Sequence, residues 1–302
     1  MTQYKKEIII MEKSKVYFIK EITPESLIKI YDAMGANLKG KIAVKISTGE
    51  PGGHNFLDPN LIKNLVKKLN GTIVECNTAY PGGRNTNEVH WKTIEEHGFK
   101  AIAPCDILDE KNEMSIPVVG GIQLKENIIG ENLKNYDSML MLSHFKGHQM
   151  GGLGGALKNM SIGIASSRGK ILIHTSGKSE VFEDVFKSDH DSFLESMADA
   201  DKSVMDFMGR ENIVYINIAN KLSVDCDCNA NPEEPKMADI GIMASTDPVA
   251  LDQACVDAVY NSPDEGKSHM IERIESRNGI PTIEAADKLG LGLRDYEMIE
   301  IY

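Results

Sequence analysis

The chain has 302 residues, 41% of them hydrophobic, enough to bury a substantial core in one large or two medium domains. Its formal net charge of −12 argues against nucleic acid as the main partner, because binding a polyanion needs a concentrated positive face. No stretch approaches the roughly 18 uninterrupted apolar residues of a membrane helix. The apolar run in "MTQYKKEIIIMEKSK" is also too short for a signal peptide, so the expectation is a cytoplasmic protein with no membrane partner.

Taken in chain order, residues 1–10 read as an extension ahead of the fold. From there, short Ile- and Val-rich runs alternate with longer helical patterns, the signature of an α/β protein with largely parallel sheets flanked by helices. Strands are expected at 16–19, 41–46, 72–76, 117–123, 138–142, 171–173, 213–218 and 239–244. Three helices announce themselves by their ends. "TPESLIKIYDAMG" has Thr23 as cap, Pro24 at the first helical position and Gly35 after the last turn. "DPNLIKNLVKKLNG" runs from Asp58 and Pro59 to Gly71, and "DPVALDQACVDAVY" opens with Asp247 and Pro248. Pro/Gly-rich and polar sequence near residue 130 predicts two lobes, 11–130 and 131–302, with the ligand site in the cleft between them.

Three loops share one placement. "STGEPGGHNF", "NTAYPGGRNTNE" and "SHFKGHQMGGLGG" each follow a predicted strand, and in an open parallel sheet such loops gather on the edge where ligands bind. Around the third loop the charge balance reverses. Between Ser138 and Ser179 there is no Asp or Glu, while Lys146, Lys158, Arg168, Lys170 and Lys178 are all present. A gap of this length has a chance on the order of one in a thousand at a given place.

Gly151, Gly152, Gly154 and Gly155 allow a sharp turn or close approach to a ligand, and "GALKNMSIGIA" then reads as a helix start. Lys158 in that first turn faces the positive end of the helix dipole, which an anionic ligand would compensate. A small carboxylate or a phosphorylated cofactor is therefore the expected ligand, held by Lys146, Lys158 and the four glycines. His144, His148 and His174 lie in the same acid-free stretch, and imidazole suits either acid/base chemistry or metal binding. Arg84, after the second Pro-Gly-Gly loop, is a candidate oxyanion clamp, and Lys45 and His54 are similar cases.

"SHFKGHQMGGLGGALKNMSIGIASSRGKILIH", "DCDCNANPEEPKMADIGIMASTDPVALDQACVD" and "AADKLGLGLRDYEMIEI" closely resemble the family catalogued as domain of unknown function 362, over nearly the whole chain from about Lys15. Members of that family often carry an added ferredoxin module and an iron–sulfur description. The four closely spaced cysteines of such a module are absent from this sequence. A more distant resemblance is to the nickel-pincer lactate racemases. Their histidine, Gly-Gly-x-Lys element and second histidine correspond in spacing to His148, Lys158 and His174, with the glycines shifted by one position. By that resemblance His148 would be a catalytic acid/base, Lys158 would carry the cofactor and His174 would ligate nickel. The racemases' further histidine, in a Gly-x-His-Arg element, has no counterpart here, since "YPGGRN" offers Arg84 alone.

The five cysteines, Cys76, Cys105, Cys226, Cys228 and Cys255, are an odd number in a chain without a secretion signal, which argues for reduced thiols. In an extended "DCDC" segment, Cys226 and Cys228 would point to one side and Asp225 and Asp227 to the other. Two thiolates at this spacing suit a soft metal, an iron–sulfur centre or redox thiols, with further ligands such as His148 or Cys105 supplied from elsewhere. The sequence thus supports a small-anion enzyme using histidine acid/base chemistry, metal-assisted and isomerase- or racemase-like, in which nickel, iron–sulfur and zinc all stay open. The alternative is an iron–sulfur or metal-binding electron-transfer protein using Cys226 and Cys228 with a redox partner protein. A cofactor-binding or maturation protein without turnover stands third, and homo-oligomerisation is left open in each case.

Overall fold

The computed structural model describes residues 13–302; the expected extension at 1–10 lies outside them. The first half runs β1 (Ser14–Ile19), α1 (Pro24–Ala33), β2 (Ile42–Lys45), α2 (Pro59–Lys68), β3 (Thr72–Glu75), α3 (Asn87–Glu96), β4 (Cys105–Ile107), β5 (Glu113–Pro117) and β6 (Glu126–Gly130). The second half runs β7 (Ser138–His144), β8 (Lys146–His148), β9 (Gly152–Gly154), α4 (Ala156–Ile164), α5 (Ser167–His174), α6 (His190–Met208), β10 (Ile213–Ala219), β11 (Gly241–Ser245), α7 (Pro248–Asn261), α8 (Lys267–Ser276), α9 (Pro281–Lys288) and β12 (Tyr296–Glu300). The three helices expected from their caps are present. Thr23, Asp58 and Asp247 each accept hydrogen bonds from backbone N–H groups of the first turn.

Eight strands form one mostly parallel sheet in the order β12-β1-β11-β10-β7-β2-β3-β4, in which only β11 runs antiparallel to its neighbours. Side chains alternate across it. On β7, Met139 and Met141 join the core under α4, α6 and α7, while Leu140 and Leu142 join the core under α1 and α2. The same strand settles how the two halves relate. Ile42 to Lys45 of β2 pair with Ser138 to Met141 of β7, so strands from both sides of residue 130 share one sheet. A lobe with its own large sheet on each side of that residue is not formed, because β2, β3 and β4 continue the sheet outward from β7.

Two predicted strands are something else. Residues 171–173 lie in α5, whose start is fixed by Ser166, the cap that accepts the Gly169 N–H; a three-residue apolar run does not by itself separate strand from helix. Residues 118–123 form a turn after β5. There the buried Asp199 carboxylate accepts the N–H groups of Ile122, Gln123 and Leu124, which removes them from any strand ladder.

The Gly-rich loop is shaped by packing. Gly152 has φ +74°, and a side chain there would press on Gly279. A side chain at Gly147 would collide with the Val224 carbonyl. Gly155 makes room for the buried carboxylate of Asp252, which accepts the N–H groups of Ala156 at 2.8 Å and Leu157 at 3.0 Å and so caps α4 from α7. The expectation that an anionic ligand meets this helix start is therefore corrected: Asp252 already supplies the negative charge. Replacing Asp252 by Ala leaves the two helix donors and the Asn217 amide without their acceptor. The expected loss is about 2 kcal/mol or more in urea unfolding, with Asp252→Asn retaining part of it. A change within about 0.5 kcal/mol for Asp252→Ala would show that the cap is dispensable.

Candidate functional site

The carboxyl ends of β2, β3 and β7 open on the same edge, as expected for the three loops, and there they enclose a cavity of about 320 Å³. Lys45, Arg84, Lys146, Lys158 and Lys170 line it, and among the described residues Glu75 is the one carboxylate that does. Two of these cations are matched. Arg84 donates from Nε to Glu50 at 2.9 Å and from Nη1 to Glu75 at 3.0 Å, so the predicted oxyanion clamp is engaged within the protein. Lys146 lies 3.0 Å from Asp227. Burial works against an ionised Glu75, but Arg84, His90 and Lys45 together hold its carboxyl well below the usual range.

Lys45, Lys158 and Lys170 form no ion pair with a carboxylate among the described residues. Lys45 donates to the Ile46 carbonyl at 2.6 Å and to Asn159 Oδ1 at 3.0 Å. It passes so close to α4 that a side chain at Gly163 would meet its amino group, which accounts for a glycine inside that helix. Lys170 donates to the Ala165 carbonyl at 2.5 Å. Burial lowers Lys170 and brings Lys45 down to about 8. Lys158 Nζ stands 3.6 Å from Cys226 Sγ. The sulfur beside Lys158 is a thiol whose pKa is drawn down, so it answers part of that charge, while Lys45 and Lys170 have only neutral acceptors and stay costly to ionise unless something else brings negative charge.

The histidines divide into distinct parts. His144 has Nδ1 at 2.9 Å from Asp227 Oδ1 and Nε2 at 2.6 Å from the Asn220 carbonyl, so neither nitrogen is free for the cavity. The expected catalytic part for His144 is therefore corrected to one of holding Asp227 and the 220–227 segment. His148 Nδ1 accepts the N–H groups of Met150 at 3.2 Å and Gly151 at 2.8 Å, which places the ring proton on Nε2. Burial and the nearby Lys158 lower its pKa, keeping it neutral. His174 is the converse. Its Nδ1–H donates to the Lys170 carbonyl at 2.6 Å, and Nε2 keeps its lone pair; the ring stacks on Phe193 with centroids 4.5 Å apart, and burial brings the pKa down to about 4. One neutral donor, its Nε2–H turned to the Cys226 sulfur, and one neutral acceptor thus line the same cavity.

Cys226 and Cys228 sit in a turn rather than an extended strand, since the Asn229 N–H closes onto the Cys226 carbonyl. Their sulfurs and His148 have ligand atoms within 4.8 Å of one another, the one such grouping among the described residues. His174 and Cys105 are not part of it. The Cys228 thiol hydrogen-bonds to Cys226 and, with Lys158, Lys146 and His148, pulls the Cys226 thiol well below its ordinary range; Cys228 is pushed up in return. Two sulfurs suit a soft metal, but His148 fits poorly as a third ligand: Nδ1 already accepts two N–H groups, and Nε2 would have to lose its proton.

Of the four loop glycines, Gly154 and Gly155 border the cavity while Gly151 and Gly152 shape the chain behind it. His54 is on the surface beside Glu234. Glu75 and Asn159 also line the cavity without having been expected there; for Glu75 the available signal was a charged residue ending an otherwise apolar strand, "TIVE", as Lys45 ends "IAVK". His174 provides a check on the site's electrostatics. Native His174 stays neutral down to about pH 4 while the unfolded side chain takes a proton near 6.5. The unfolded state therefore binds more protons in that window, and stability falls as pH drops through it, by about 2–3 kcal/mol from this group. A His174→Phe variant should lose that part of the slope when urea midpoints are compared at pH 7 and pH 4.5; an unchanged slope would show that His174 is not held neutral.

Among the described residues no helix is long and apolar enough to cross a membrane. No curated protein matches the sequence. Among solved structures, the lactate racemase apoprotein from Thermoanaerobacterium thermosaccharolyticum is similar with a TM-score of 0.46 and 12% identity, over 82% of this chain and 57% of that one. A protein from Thermotoga maritima gives a TM-score of 0.39 and 12% identity, over 90% of this chain and 61% of that one. This chain therefore spans about three fifths of the length of either. The family model described as domain of unknown function (DUF362) matches residues 42–257, and the chain belongs to that family.

Proposed function

We propose that the protein binds a small anion in the cavity between the β-strand ends and abstracts a proton from it with His174, His148 assisting as a hydrogen-bond donor. The observation that carries this reading is the set of three lysines, Lys45, Lys158 and Lys170, that line the cavity without a carboxylate partner. A bound carboxylate or phosphate completes their electrostatics. His174 Nε2, its tautomer fixed by the Lys170 carbonyl, accepts a proton from the ligand. His148 exchanges the hydrogen bond from its Nε2–H to Cys226 for one to the oxygen on which charge develops, as a neutral electrophile rather than an acid/base. This division of labour suits proton abstraction next to an acid group and hence an isomerase- or racemase-like reaction. It departs from the part that the lactate racemase resemblance assigns to His148.

A second reading, a metal or iron–sulfur centre on Cys226 and Cys228, is favoured by the clustering of their sulfurs. No step of the proton transfer above depends on it. Protein prepared from its native host without oxygen would show visible charge-transfer absorbance and sulfur-bound iron or nickel, both lost in a Cys226→Ser/Cys228→Ser variant. A colourless, metal-free protein ends that reading.

The anion reading is tested by thermal denaturation with malonate, whose charge is constant above neutral pH. Wild type should gain several degrees at saturating concentration, and Lys158→Ala should lose the gain. Because Lys45 releases its proton near pH 8 in the free protein, the gain should shrink between pH 7 and pH 9.5. An equal gain in Lys158→Ala, or one that grows with pH, would overturn the assignment.

A further inference from the structure

The cavity is lined by partly exposed apolar side chains as well as by buried cations. Phe182, Val185 and Phe186, from a single 3-10 turn at Phe182–Lys187, line it together with Met150 and Ile162. Phe186 is 73% exposed, and its ring meets Phe182 edge-on at 5.7 Å. Val181, just ahead of the turn, is 53% exposed. A large aromatic side chain left this open beside a cavity marks a surface that something apolar covers.

The turn is braced from below. Thr175 and Ser179 are joined through the Thr175 hydroxyl, Ser179 Oγ donates to Asp184 at 2.7 Å, and Val185 is buried at its base. The rim is therefore a built wall of the cavity. The same cavity is lined by Lys170 and His174 of α5, Lys158 of α4 and Lys45 of β2. A free inorganic anion would satisfy the lysines and leave the aromatic wall bare. An uncharged apolar compound would do the reverse.

We propose that the ligand is an amphipathic anion, a carboxylate or phosphate ester whose head sits among Lys45, Lys158 and Lys170 and whose aryl or short acyl body lies against Phe182 and Phe186. This rests on the anion reading of the same cavity and names the substrate class for it. A pocket with a few convergent polar groups and a mainly apolar wall binds such molecules by burying the body and orienting the head.

The test is a calorimetric titration with acetate, butanoate, hexanoate and benzoate, and with inorganic phosphate against phenyl phosphate. Each methylene buried against the rim should tighten binding roughly three- to fourfold, levelling off once the wall is covered, and phenyl phosphate should exceed phosphate by more than tenfold. Phe186→Ala should leave acetate and phosphate unchanged and remove most of the gain for hexanoate and phenyl phosphate. Equal affinities across the series in wild type, or a gain that survives in Phe186→Ala, overturn the proposal while leaving the anion site standing. Absence of binding for every anion overturns the anion reading itself. If Phe186→Ala instead leaves the series unchanged and converts a dimer to a monomer in sedimentation, the rim is a contact between two copies of this chain, and the proposal fails.

Discussion

The carboxylate of Asp252 holds together the part of the molecule on which the cavity depends. It reaches from α7 to the start of α4, accepts two helix N–H groups and the Asn217 amide, and needs Gly155 to be bare so that it can approach. With that contact made, α4 is fixed in rotation, and Lys158 and Asn159 are presented toward the strand ends while Leu157 and Met160 enter the core. Burial raises Asp252 to about 6, so near neutral pH it is held as the anion its donors require. A buried carboxylate far from solvent thus sets where Lys158 stands.

Around that fixed helix the charges follow a simple division. Acidic groups that reach this region are consumed inside the protein: Glu50 and Glu75 by Arg84, and Asp227 by His144 and Lys146. The acid-free run from Ser138 to Ser179 adds cations without adding carboxylates to answer them. Overall the protein is strongly acidic, but the cavity is not, and the low dielectric of its walls magnifies the difference.

Much of this was legible in the sequence, and the gaps have physical causes. Caps at Thr23, Asp58 and Asp247 located three helices because a cap is a local hydrogen bond between near neighbours. The gathering of three loops on one sheet edge followed from strand alternation, and His148, Lys158 and His174 do line one cavity. What sequence left out was mostly long-range. Nothing near Gly155 indicates that Asp252, almost a hundred residues away, occupies the helix start, so the glycines looked like ligand contacts. His144 looked as free as His148 until its two acceptors, Asp227 and the Asn220 carbonyl, were brought to it by the 220–227 segment. Pairing of β2 with β7 across nearly a hundred residues likewise joins what composition alone had divided near residue 130.

The opposite tautomers of His148 and His174 have a consequence of a different kind. Each is dictated by main-chain groups, two amides in one case and one carbonyl in the other. Which side of the cavity offers an N–H and which offers a lone pair is thus written in the backbone, as a polarity of the fold. Because main-chain groups set both tautomers, a change of neighbouring side chains leaves the hydrogen-bond donor on His148 and the acceptor on His174 in place.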